Sequence, residues 1–263
     1  MSFSAVPTHY DGSGIIFFHG QGIMDTTSFL IVMMTGIIVI AISYLLDYVW
    51  ASAMPLRGLY YFIRAPGVII HECAHILGCF VTGAQIRKVV FFSKGGGSVT
   101  HTRPLLPWLG DVIISTAPLF AIPLVLSVLT GIFSEYLGCT FPPFPPSIGS
   151  PDTLAILGEG IISTFRDNLV TQFNGWFLLF LYLTISLVLS AAPSTQDMKN
   201  AAIGFGLLVL AGIMIATSGI PLAENLLGGF MHLLGIGFSL GLVYGIIALA
   251  VSSPLIVLSA YRH

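Results

Sequence analysis

Charge is what this chain lacks. Only 8% of its 263 residues are Asp, Glu, Lys or Arg, whereas soluble domains are about a quarter charged. A surface so poor in charge cannot face water over its whole area. That excludes an ordinary soluble globular protein and requires most of the surface to meet a lipid bilayer. Basic tracts are absent and the formal net charge is -2, so nothing points to nucleic acid as a partner. Cysteine is scarce: Cys73, Cys79 and Cys139 are widely spaced and form no CxxC pair, which excludes a disulfide framework. The start of the chain has no basic residues of the signal-peptide kind, so its first apolar run is expected to stay as a membrane anchor.

What is present is apolar sequence in long runs, 56% hydrophobic overall. A helix that crosses a bilayer needs about 20 apolar residues. Thr26–Leu46, Val112–Ser134, Gly175–Pro193 and Asn200–Ala223 each qualify, and Asn225–Tyr261 reads as one long helix from about Gly229, broken near Pro254. A sixth segment, Ala65–Gly83, is shorter and either spans or enters and returns as a re-entrant helix. The expected fold is an all-α polytopic membrane protein of five to six transmembrane helices, a single integral membrane domain over residues 1–263. An outer N-terminal segment covers 1–25, and a Pro/Gly-rich outer loop covers 135–173. The oligomeric state is not legible.

Basic residues choose the side of the membrane. Arg57, Arg64, Arg87, Lys88, Lys94, Arg103, Lys199 and Arg262 all fall on one side if the sixth segment is re-entrant, and Arg166 alone on the other. The expected location is the cell membrane, with the N-terminus outside and the C-terminus in the cytosol. After the sixth segment, Val89, Val90, Phe91 and Phe92 favour strand. Gly95-Gly96-Gly97 offers a turn, and Ser98-Val99-Thr100 resumes the strand. The result is a small β-hairpin, with Val89, Val90, Phe91 and Phe92 as the candidate substrate-binding residues, able to hold an extended peptide by strand addition.

Inside the sixth segment stands His71-Glu72-Cys73-Ala74-His75. Residues four apart share a helix face, so His71 and His75 can offer two imidazoles to one Zn²⁺. Glu72 can reach a water on the same metal as general base. The flanks are Gly67-Val68-Ile69-Ile70 and Ile76-Leu77-Gly78. Ionisable groups at such depth are costly and mark function. A catalytic zinc takes three protein ligands and keeps one position open. The third ligand can be Asp197, which follows the helix-breaking Pro193, or His101 or Asp111. Asp197 is favoured because irregular backbone at membrane depth is tolerated where it lines a site.

These residues resemble the site-2 protease family of intramembrane zinc metalloproteases, in its short prokaryotic form without a PDZ domain. Three parts of the region 66–204 carry the resemblance: Val68–Gly78, Ala117-Pro118, and Pro193-Ser194-Thr195-Gln196-Asp197. The second is similar to the family's Gly-Pro, and the third to its segment ending in an aspartate ligand. The resemblance implies a metalloprotease core over 66–204 and Zn²⁺ held by His71, His75 and Asp197. It also implies Glu72 as general base and a transmembrane protein substrate cut within the bilayer. The competing expectations are a metal transporter or metal-sensing membrane protein and an inactive protease-like scaffold.

The charge distribution generates a test. Single cysteines placed at Arg57, Arg64, Lys199 and Arg262 in intact cells should be shielded from an impermeant external thiol reagent. Ready labelling at position 262 from outside would overturn the orientation.

Overall fold

The structure, a computed structural model, describes residues 26–54, 57–93, 97–141, 151–192 and 194–260. The expected outer segment 1–25, the turn residues 94–96, part of the outer loop (142–150), Pro193 and Arg262 lie outside the described residues. The elements run in the order α1 (Thr26–Ala53), α2 (Arg57–Thr82), β1 (Ile86–Val90), β2 (Ser98–His101), α3 (Pro107–Glu135), α4 (Pro151–Phe165), α5 (Gly175–Leu189), α6 (Thr195–Ala216) and α7 (Pro221–Ala260). A π-helical stretch, Arg166–Thr171, continues α4.

The chain is mostly helical. Among the described residues four helices are long and apolar enough to cross a membrane: Phe29–Ser52, Arg57–Thr82, Leu109–Glu135 and Pro221–Leu249. That count is lower than the five to six expected. The Gly175–Pro193 run yields a helix of only 15 residues, because Ser190 ends α5. In α6 many side chains lie outside the described residues. The Asn200–Ala223 run begins its helix earlier than its apolar pattern does. Ser194 accepts a hydrogen bond from the Asp197 backbone N–H and so starts α6 at Thr195.

One further expectation is corrected, and one open alternative is narrowed. The long C-terminal helix begins at Pro221, which suits a first helical turn, and runs unbroken through Pro254. The sixth segment does not turn back within its own length. It is one continuous helix that starts at Arg57 and contains Pro66. The loop expected outside, 135–173, also holds more structure than its Pro/Gly content implied, namely α4 and the π-helical stretch. There buried Asn168 clasps the end of the loop, accepting from Thr140 N–H at 2.8 Å and donating to Thr140 O at 2.7 Å.

The hairpin forms as expected in kind: β1 pairs antiparallel with β2, Val89 opposite Val99 and Val90 opposite Ser98. Phe91 and Phe92 lie beyond the strand.

Close approach of helices rests on glycines. Along α1 and α7, which run parallel, Phe238 packs on Gly36, Val39 on Gly241 and Ile42 on Gly245. Trp50 Nε1 donates to Ser252 Oγ at 2.7 Å further on. Gly237 lies against the backbone carbonyl of Pro123 in α3, where a Cβ would overlap the oxygen. The spacing Gly237, Gly241, Gly245 therefore serves internal packing.

Gly237→Ala should lower the thermal unfolding midpoint, at a cost of about 1–3 kcal/mol for an overpacked contact. Gly229, on the same helix, has nothing within 4 Å of a built Cβ. Gly229→Ala should leave the midpoint unchanged or raised, by about 1 kcal/mol of helix propensity. Equal effects of the two changes in a detergent melting curve would refute the packing argument.

Candidate metal centre

The centre is assembled where α2 meets the end of α5, the first half of α3 and the start of α6. Pro66 has no N–H, so the Phe62 carbonyl one turn earlier loses its helical partner. The Tyr182 hydroxyl from α5 donates to it at 2.8 Å. The next residue, Gly67, donates its N–H to Ser186 Oγ at 2.8 Å, and a Cβ there would overlap the Ser186 carbonyl. Pro66 and Gly67 together draw α5 onto α2, which brings Ser190 to His71.

Both imidazoles are oriented by backbone carbonyls. His71 Nδ1 lies 2.8 Å from Ser190 O, and His75 Nδ1 lies 2.8 Å from Ile114 O. Ser190 caps α5, so its carbonyl has no helical donor. Gly78 lets α3 approach closely enough to present Ile114, whose Cα would sit 2.9 Å from a Cβ at 78. A carbonyl oxygen only accepts, so each Nδ1 carries the proton, and a neutral ring then turns an Nε2 lone pair inward. The two Nε2 atoms face each other at 3.2 Å.

Asp197 completes the group. Its Oδ2 lies 3.6 Å from His75 Nε2, and the ligating atoms of His71, His75 and Asp197 all lie within 4.8 Å of one another. Ligands sharing a tetrahedral zinc at about 2.1 Å are roughly 3.4 Å apart, close to the two separations seen. The Ser194 hydroxyl donates to Asp197 Oδ2 and also caps α6, so one side chain aims the carboxylate and fixes the helix start. The donor set fits a cation: two lone pairs aimed at each other need positive charge between them, and a carboxylate stands beside it.

Glu72 is buried, and its Oε2 has no hydrogen-bond partner. Gly97, at the root of β2, lies directly over this carboxylate, where a Cβ would overlap Oε1. The four side chains face one cavity of about 690 Å³, whose walls include Arg64, β2 and Asp111. On its far side the Tyr60 hydroxyl donates to Asp47 Oδ1 at 2.7 Å, and Arg64 Nε lies 3.3 Å from the same oxygen.

The sequence-based candidates are thus distributed as follows. His71, His75 and Asp197 converge, and Glu72 stands next to them. His101 and Asp111 line the cavity but are not in the metal-capable group. His101 Nδ1 instead meets Thr102 O at 2.8 Å. Of the hairpin, Gly97–His101 line the cavity, whereas Val89, Val90, Phe91 and Phe92 are not among its lining residues. Sequence reasoning missed the Ser190 and Ile114 carbonyls, the role of Ser194 and the placement of Gly97. The sequence marks Gly97 only as part of a turn, and backbone carbonyls carry no signal in it at all.

Comparison with known proteins adds no relative: no family model matches the chain, and neither a curated protein nor a solved structure matches it.

The purified protein should bind about one zinc per chain, as a three-ligand site with an open position would. Ser194→Ala should weaken zinc binding by about 10–100-fold, the usual effect of losing a partner that orients a ligand. A competition titration with a chromophoric chelator measures both. Unaltered affinity in Ser194→Ala would show that Asp197 does not depend on the Ser194 hydroxyl.

Proposed function

We propose that this chain is a zinc-dependent intramembrane endopeptidase of the site-2 protease kind, hydrolysing peptide bonds of transmembrane protein substrates. One observation carries the reading. Two imidazoles and a carboxylate converge beside a buried, unpartnered carboxylate, in a cavity among apolar helices. Nitrogen and oxygen donors in this number suit a catalytic zinc. Zinc held there would lower the pKa of a bound water towards about 7 and polarise a peptide carbonyl.

The chain's own residues then have distinct tasks. His71, His75 and Asp197 hold the metal. Glu72 receives the water proton on its free oxygen and returns it to the leaving amine. A helical substrate hides its peptide bonds, so the segment to be cut must be extended. β2 lines the cavity and pairs only with β1 among the described residues, which leaves an edge for strand addition. Val89 and Val90 pair with Val99 and Ser98 and so support that edge from the other arm of the hairpin.

α5 and α6 join the four longer helices at membrane depth in this reading, five of the six crossing fully, since termini on opposite sides require an odd number of crossings. The N-terminus lies outside and the C-terminus in the cytosol. The parallel course of α1 and α7 supports termini on opposite sides. Arg64 and β2 border one cavity, which supports placing the cations of α2 and the hairpin on the same side. A metal transporter would need ionisable groups strung across the membrane. Here His71, His75 and Asp197 are the single metal-capable group among the described residues.

Glu72→Gln should reduce peptide cleavage by at least about 100-fold, the typical contribution of a general base, while zinc stays bound. Asp197→Ala should lose both zinc and cleavage, and Asp197→Asn should impair both less. Near-normal turnover by Glu72→Gln in a reconstituted cleavage assay would exclude the proposed role of this side chain.

A further inference from the structure

The carbonyl that orients His75 sits in the body of a helix, where carbonyls are normally taken. Ile114 belongs to α3, which runs on for more than twenty residues beyond it. In an α-helix the oxygen of residue 114 accepts from the N–H of residue 118. Residue 118 is proline and has no N–H. The oxygen thus freed is the one that His75 Nδ1 meets at 2.8 Å. The Pro66–Phe62–Tyr182 arrangement is the same device on α2, and there too a side chain of a neighbouring helix takes the released oxygen.

We infer that Pro118 is a positioning residue for His75: by withholding the helical donor it reserves the Ile114 carbonyl for the imidazole. A proline inside a helix is strongly destabilising, so its presence calls for a compensating use. With the N–H absent, the strongest donor available to Ile114 O is His75 Nδ1–H. That bond fixes the tautomer and leaves Nε2 as the lone pair facing His71 and Asp197. With an N–H restored at 118, two donors compete for one oxygen. The ring then spends part of its time as the Nε2–H tautomer, which cannot ligate.

Pro118→Ala separates this role from a merely structural one, because the two predict opposite signs. The helix should gain a hydrogen bond, so the unfolding midpoint of the metal-free protein should hold or rise. Zinc affinity should nevertheless fall by about tenfold or more, the size of effect seen when a ligand's orienting partner is disturbed. The ¹⁵N shifts of selectively labelled histidine in metal-free protein should show a new Nε2–H population at His75. Pro123→Ala restores a donor to Leu119 O in the same helix, an oxygen for which no histidine partner is seen, and should leave zinc affinity unchanged.

Packing of the proline ring is tested by placing the α-hydroxy acid of alanine at 118 through nonsense suppression. That residue has neither ring nor N–H and should bind zinc as the parent does. The inference rests on the metal reading, but the two fail differently. A parent chain that binds no zinc defeats the metal centre and leaves the tautomer measurement to decide on Pro118. An unchanged His75 tautomer together with parental zinc affinity in Pro118→Ala would overturn the inference, as would weak binding in the ester variant.

Discussion

Two imidazole nitrogens, Nε2 of His71 and Nε2 of His75, face each other across 3.2 Å while the opposite nitrogen of each ring is committed to a carbonyl. Neither carbonyl can donate, so two neutral rings cannot satisfy each other. Much of the surrounding architecture serves this arrangement. α5 has to stop at Leu189 for the Ser190 oxygen to be free. α2 has to lack a side chain at Gly67 for α5 to come within reach, and at Gly78 for α3 to do so. α6 has to begin just after Ser194 for Asp197 to arrive in the first turn. In a medium without competing water each of these polar groups is costly unless it is partnered. The helices are therefore pinned by the centre as much as the centre is built by the helices.

The composition and the apolar runs carried the helical membrane character, because burial in lipid acts on every exposed residue at once. The i, i+4 histidines were legible for the same kind of reason: helix periodicity puts them on one face without help from the rest of the fold. Helix limits were less legible. α6 begins before its apolar run, at a cap formed by Ser194, and α7 passes Pro254 without a break. Both outcomes depend on where backbone donors and acceptors find partners, which hydropathy does not record. The outer loop illustrates the same limit. Its prolines and glycines signal irregularity, yet Asn168 supplies the bonds that let a helix and a π-helical stretch form there.

Within the site, the side chains that ligate are typed by chemistry and could be nominated from sequence. The groups that aim them are backbone carbonyls, identical at every residue, and become visible only when helices are placed side by side. The cavity's far wall is of a similar kind: Asp47, Tyr60 and Arg64 belong to α1 and α2 and look like interfacial charges in sequence. In space they form a bonded cluster, of which Asp47 and Arg64 line the same cavity as the histidines.

Gly97 carries a consequence for how such a chain can change over generations. Any side chain there would occupy the volume of the Glu72 carboxylate, so positions 72 and 97 are not free to drift apart. A Cβ at 97 would meet Cγ of Glu72 as well as its carboxylate, so even aspartate at 72 would leave alanine at 97 in collision. Selection that keeps an acid at 72 therefore extends to position 97, a residue with no chemistry of its own.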